Sequence, residues 1–259
     1  SPAERTLEPG EAMGIATGAV VPDGADAVIP LEYVVEHDNI IEVPEAVSRG
    51  ASIRAIGGDL RRGEVVVEAG TRLGAPQVAA LSAAGVAEAR VSRKPRAAVL
   101  ATGSELRRPG EPLEPGQIYD ANGILIDAQL ASAGAVVERL SSVADDESAH
   151  RAALARGLEA DVLVTSGGVS VGPHDLVRRV EAELGVEEVF WGVSVKPGKP
   201  ISFGVAGGKR LVFGLPGNPV SVLVSFELFV RPAVLALQGV SDPRPRFERG
   251  RLGAEVERN

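Results

Sequence analysis

The stretch "DVLVTSGGVSVGPHDL", Asp161 to Leu176, sets a short apolar run against three glycines, three hydroxyl residues and an acid, Asp175, near its end. The apolar run Val162 to Val164 reads as a buried strand, and a helical pattern that Gly185 closes begins at Leu176. Strand, glycine loop and helix in that order make one half of a βαβ unit. A loop of this composition is either a tight turn or a cradle whose backbone N–H groups approach an anion.

The same texture continues on both sides. Upstream, "AAVLAT" (Ala97 to Thr102) reads as a strand and leads through a polar loop to a helix near Asn122 to Ala133, closed by Gly134. The strand "AVVERLSSVA" follows, then a helix capped by Asp145 or Asp146. Downstream, "EEVFWGVSV", "ISFGVA" and "RLVFGL" read as strands. A last helix opens at Asn218-Pro219, a cap residue with proline at the first helical position, and Pro232 should kink or restart it. Strands alternating with helices imply an α/β domain, a parallel or mixed sheet flanked by helices, over residues 95–240. Ahead of it, residues 1–56 read as a small β-rich domain with turns at Pro22-Asp23-Gly24 and Asp38-Asn39. Residues 57–94 read as an elongated connecting segment with a strand, a turn and a short helix from Ala75 to Ala84. Residues 241–259 read as the start of a truncated C-terminal β domain, and both ends of the chain look cut.

Composition narrows the function. The 259-residue chain is 44% hydrophobic and 24% charged, within the range of globular proteins, and its net charge of −8 is unlike the basic footprint of a nucleic-acid binder. Aromatic residues at 3% leave little for stacking on single-stranded bases. Without cysteine there is no disulfide or thiolate nucleophile, and three scattered histidines do not suggest structural zinc. No signal peptide or apolar run of transmembrane length is read, so the expectation is a cytoplasmic protein with no membrane and no nucleic-acid partner.

Ligands of open α/β sheets bind beyond the carboxyl ends of the strands. The segments there are "TGSE" (Thr102 to Glu105), Asp145-Asp146, the opening loop with Asp175, "KPGKP" (Lys196 to Pro200) and "LPGNP" (Leu215 to Pro219). Each has an ordinary reading: Gly-Gly as a turn, the aspartates as helix caps, the lysines as solvated surface. Their convergence on one edge favours a shared site with donors for phosphate, two cations and several carboxylates. Carboxylates repel phosphate unless a hard cation bridges them, so the residues point to a phosphorylated small molecule with Mg2+. Standard nucleotide loops do not account for it. "GGVSVG" lacks the middle glycine of a dinucleotide fingerprint, and "PGKP" has proline where a P-loop needs serine or threonine.

Together "TGSEL", "IYDANG", "TSGGVSVG..D", "KPGKP" and "GLPGNPVS" resemble the molybdopterin molybdenumtransferase family, which includes the gephyrin E domain. The upstream "IATGAVVPDGADAV" and "IRAIGGDLRRGE" resemble the same family, so the likeness runs from about Gly10 to Gly239. It implies insertion of molybdate into adenylylated molybdopterin with Mg2+-dependent cleavage of the adenylate. It also implies a homodimer, with the molybdopterin adenylyltransferase and molybdoenzymes as further partners.

Carried over residue by residue, the resemblance makes Glu105, Asp145 and Asp175 metal ligands or water-orienting groups, and Lys196 a partner of oxyanions. Thr102, Gly103, Ser166, Gly167, Gly168, Ser170 and Lys199 would hold the ligand, and Pro216, Gly217, Asn218 and Pro219 would shape the last loop. Thr17 and Asp59 match residues that in related proteins approach the site across a dimer. Three departures stand out: Gly192 where the family often has a basic residue, "GPHD" with His174 in place of "GEYD" or "GEAD", and no "MDGY" segment. Two other readings stay open. A molybdopterin adenylyltransferase shares the sheet domain but usually stands alone, and a scaffold that borrowed the fold would tolerate Asp175→Ala and Glu105→Ala.

Overall fold

The computed structural model describes residues 5–141, 146–167, 176–251 and 253–254. The chain divides into two compact units, Ser1–Val66 with Ala80–Gly85, and Val67–Ala79 with Val86–Asn259.

In the first unit the regular strands among the described residues are β1 (Val35–His37) and β2 (Ile40–Glu42), an antiparallel hairpin. Asp38 at its turn takes a φ of +51°, a conformation aspartate tolerates better than bulkier residues. The Pro22-Asp23-Gly24 turn forms as well, with Ala25 N–H donating to Pro22 O at 3.2 Å. Most of the other β-like runs are held by isolated backbone bonds, such as Val28 N–H to Ala51 O (2.9 Å) and Leu7 N–H to Asp23 O (2.8 Å). They are too short and too often interrupted by Gly and Pro to build a ladder.

The strand expected within residues 57–94 does not form; the most β-like run there is "EVVVEA". That run lies between turns at Gly63 and Gly70, whose φ values are +88° and +81°, and no strand among the described residues pairs with it. The expected helix follows as α1 (Ala75–Ala83), ended by Gly85 at φ +79°.

The second unit is built on six strands. In chain order its main elements are β3 (Arg96–Ala101), β4 (Leu106–Arg107), β5 (Ile118–Tyr119), α2 (Ala121–Ser132), β6 (Val136–Arg139), α3 (Glu147–Gly157) and β7 (Val162–Ser166). Then come α4 (Leu176–Glu183), β8 (Val186–Trp191), β9 (Ser202–Ala206), β10 (Arg210–Leu215) and α5 (Pro219–Ser225). A π-helical turn over Phe226–Val230 leads into α6 (Arg231–Leu237). The sheet order is β6-β3-β7-β10-β9-β8. Strands β6, β3, β7 and β10 are parallel, and β9 is antiparallel to both neighbours. The sheet is therefore mixed, because a three-residue connection between β9 and β10 is too short for a parallel crossover.

Alternation along the strands divides the core in two. Ala97, Val99, Val162, Val164, Phe213 and Leu215 face Ile126, Leu130, Val222, Phe226, Val230 and Val234 on one side. Ala98, Leu100, Leu163 and Val212 face Leu154, Val177 and Val180 on the other. Helices thus cover both faces, which is the layered packing an α/β sheet requires.

One expectation is corrected at the C-terminal helix. Residues Pro219–Leu237 form a continuous helical run that is long and apolar enough to cross a membrane. No apolar run of that length was expected; the restart expected at Pro232 is seen, with α6 beginning at Arg231, but it does not interrupt the helical run. The wider π turn just before Pro232 absorbs the ladder bond that proline cannot make. Val222, Phe226, Val230 and Val234 on this run are fully buried against the sheet, so one face of it belongs to the core.

Candidate functional site

The sheet register brings the central loops together. Ala101 stands opposite Ser166, and Ser166 opposite Leu215, so β3, β7 and β10 end level with one another. Their loops begin at adjacent points on the carboxyl edge. Thr102 N–H donates to Ser166 O at 2.9 Å, and Gly167 N–H donates to Leu215 O at 3.3 Å. Gly167 has φ +92°, and a Cβ there would lie 2.5 Å from Thr102 O. Glycine is needed at this position both for the conformation and for the close approach.

Glu105 is exposed and folds back over Gly103, where an added Cβ would come within 2.5 Å of its Oε2. Its backbone carbonyl accepts from Ile118 N–H at 2.9 Å, anchoring the loop to the β4–β5 ribbon. The last loop is fixed from the helix side. Asn218 caps α5, its Oδ1 accepting from Val220 N–H (2.9 Å) and Ser221 N–H (3.3 Å), with Pro219 at the first helical position.

The residue that ties these loops together has no role in the sequence reading. Asn122, in the first turn of α2, donates through Nδ2 to Ser166 Oγ at 3.0 Å and to Gly217 O at 2.8 Å. Ser166 Oγ in turn donates to Pro216 O at 3.3 Å. Asp120, only 7% exposed, caps α2 through Gly123 N–H at 2.7 Å and pairs with Arg139 at 3.1 Å. Both residues lie within "IYDANG", and an aspartate just ahead of a helical pattern is itself an N-cap signal. The contacts of Asn122 reach across 44 and 95 residues, and no local pattern announces them.

These elements enclose a cavity of about 120 Å³. Of the expected site residues, Thr102, Glu105, Ser166, Gly167, Gly217 and Pro219 line it, together with Asp120 and Asn122. Gly103, Pro216 and Asn218 support its wall through the contacts above. Lys196 and Lys199 are exposed on the β8–β9 loop and do not line it. Strand β8 runs in the same direction as β10, so this loop leaves and re-enters the sheet at the same carboxyl edge. It is seated on α5: Gly198 is buried at φ +113°, and a Cβ there would lie 2.7 Å from Ser225 Oγ. Gly192, at φ +77°, starts the turn from β8 into this loop, and that backbone conformation favours glycine over the basic residue the family resemblance suggested.

Asp145, Gly168, Ser170, His174 and Asp175 lie outside the described residues. Thr17 and Asp59 belong to the first unit, Thr17 exposed in the Ala16–Ala19 turn and Asp59 paired with Arg54 at 2.5 Å. Among the described residues no three acids or histidines cluster as a metal site. The described candidate ligand, Glu105, offers hard carboxylate oxygens of the kind Mg2+ takes.

A larger cavity of about 410 Å³ lies between α4 and β8–β9, lined by Arg178, Arg179, Glu181, Val186, Glu188 and Ser202 among others. It contains none of the glycine loops at the carboxyl edge, so the smaller cavity is the candidate site. At the opposite edge Asp161 receives a two-pronged contact from Arg93 (2.6 and 2.7 Å) and the Arg96 N–H at 2.8 Å. The guanidinium bond is the main cause holding its carboxyl down at about 2. That group anchors the entry to β3.

Residues 98–236 match the family model described as "Probable molybdopterin binding domain", and residues 1–85 match "MoeA N-terminal region (domain I and II)". The chain is 40% identical over 247 residues to "Molybdopterin molybdenumtransferase 2" of Mycobacterium tuberculosis, covering 92% of this chain and 60% of that protein. It is 40% identical over 230 residues to "Molybdopterin molybdenumtransferase" of Haemophilus influenzae, covering 88% and 56%. Among solved structures it resembles the molybdopterin biosynthesis moeA protein of Pyrococcus horikoshii, with a TM-score of 0.72 at 31% identity over 94% of this chain and 59% of that one. The chain thus spans less than two thirds of the length of the relatives it matches.

Proposed function

The chain belongs to the family defined by the probable molybdopterin binding domain, and from that premise we propose that it serves molybdenum cofactor biosynthesis as a molybdopterin molybdenumtransferase. The substrates are adenylylated molybdopterin and molybdate. The observation that carries this reading is the junction of Thr102, Ser166–Gly167 and Gly217 around one cavity, with the Glu105 carboxylate at its rim.

Each residue has a part in the proposal. The glycine loops let the ligand approach the backbone closely, as Gly167 already does with Thr102. Lys196 and Lys199 attract the anionic substrates from the same sheet edge. Ser166, whose hydroxyl bridges Asn122 and Pro216, keeps the β7 and β10 loops in register. Glu105, with Asp145 and Asp175, would hold Mg2+, which when bound offsets the charge between carboxylates and phosphate. Thr17 and Asp59 contribute from a partner copy in a homodimer.

Water cleaves the phosphoanhydride, giving AMP and molybdopterin. Molybdate then takes up the two dithiolene sulfurs, and one of its oxygens leaves with their protons as water. The test is chromatographic: incubation with adenylylated molybdopterin, molybdate and Mg2+ releases AMP in step with loss of substrate. Recovery of intact adenylylated substrate after incubation would contradict the reading.

A further inference from the structure

The Asn122 side chain uses only half of its hydrogen-bonding capacity on the protein. Both amide hydrogens are engaged, one with Ser166 Oγ and one with Gly217 O. A backbone carbonyl can only accept, so these contacts fix the amide with Nδ2 toward Gly217 and Oδ1 turned away. Among the described residues that buried Oδ1 has no partner. A buried amide oxygen without a donor bears its full desolvation penalty, and native proteins seldom leave one so.

Among the described residues the side chains of the same cavity spend their donors elsewhere. Glu105 and Asp120 present carboxylates, the Ser166 hydroxyl donates to Pro216 O, the Thr102 hydroxyl to Ser166 O at 3.4 Å and the Tyr119 hydroxyl to Glu111 O at 3.0 Å. Acceptors therefore predominate in this part of the wall, and a phosphate oxygen placed here would meet repulsion.

We propose that Asn122 is a ligand-reading residue: its Oδ1 accepts a hydrogen bond from an N–H or O–H group brought in by the occupant. This deepens the functional reading above and rests on it. The donor is either a polar hydrogen of the adenylylated pterin or a water from the hydration shell of Mg2+. In both cases the donor-bearing part of the occupant lies against α2, and the phosphate oxygens lie in another part of the same cavity, away from Asn122. Because the same amide clips the β7 and β10 loops, occupancy is sensed by the residue that holds them together.

Asparagine labelling gives a direct readout, since Asn39, Asn122, Asn218 and Asn259 are the only asparagines in the chain. In protein carrying 13C at the asparagine Cγ, the Asn122 signal is assigned by its loss in Asn122→Ala, or by sequential assignment should that variant not fold. A carbonyl that gains a donor moves downfield, whereas a residue acting only as a clip does not. Three titrations are compared: Mg2+ alone, adenylylated molybdopterin with a chelator, and the two together. Movement with Mg2+ alone identifies a hydration water as donor. Movement with the pterin in chelator identifies a ligand hydrogen, and movement only with both identifies a donor placed by the complex. Each supports the proposal, as does a roughly three- to tenfold weaker Kd for Asn122→Ala. Binding by calorimetry with an unmoved Asn122 signal in every arm overturns this proposal and leaves the functional reading standing. Absence of any binding by the wild type overturns both.

Discussion

A Cβ added to Gly167 would lie 2.5 Å from the carbonyl oxygen of Thr102, so the β3 and β7 loops meet at a distance only glycine permits. Gly167→Ala should combine a left-handed backbone cost of about 1–2 kcal/mol with a backbone clash that forces the loops apart. Melting should fall by roughly 5–10 °C, and ligand affinity should fall further than stability alone explains. Unchanged melting would show that the two loops do not pack this closely.

Asn218 tests the last loop from the helix side. Its Oδ1 satisfies two orphan N–H groups of α5, and Asn218→Ala should cost about 1 kcal/mol. Asn218→Asp and Asn218→Ser, which can still cap, should recover most of it. Thermal melts of the three variants check this, and equal losses in all three would remove the cap from the account.

Asp161 gives a pH-dependent signature. Its carboxyl is held at about 2, below the ordinary carboxylate value, chiefly by the Arg93 bond. Its contribution is therefore complete above the ordinary value and is lost as pH falls toward 2. After allowance for solvent screening of a partly exposed pair, that contribution is about 1 kcal/mol. Asp161→Asn should be less stable than wild type by that amount at pH 7, with the gap narrowing as pH falls below 4. A gap that stays constant with pH would contradict the assignment.

Much of this architecture was legible in the sequence because its signals are local. The run "RLVFGL" is β10 from end to end, Asn218-Pro219 caps α5, and Gly167 follows a strand whose residues are all buried. What escaped was set by partners distant in the chain. The antiparallel course of β9 depends on its pairing with both β8 and β10, and the expected strand before Gly70 had no partner. Asn122 looked like any residue in the first turn of a helix. Its part in the site appears only when the ends of β7 and β10 are placed beside it. Lys196 is expected at the site from its place after a strand and from the family resemblance, and the fold puts it at the carboxyl edge but outside the cavity wall.

Lys196 should therefore act at longer range than Glu105. Lys196→Ala is expected to weaken binding of the anionic substrate by roughly three- to tenfold at low salt, with the difference shrinking as ionic strength rises. A loss independent of salt would mean direct contact with the ligand. No loss at any salt would remove the lysine from the functional account.

The central claim is that carboxylate and phosphate share this cavity through Mg2+, and calorimetry of adenylylated molybdopterin binding tests it most directly. Wild-type protein should bind at least tenfold more tightly with Mg2+ than with a chelator, and Glu105→Gln, melting like wild type, should lose most of that difference. Equal affinity with and without Mg2+ in the wild type would contradict the account.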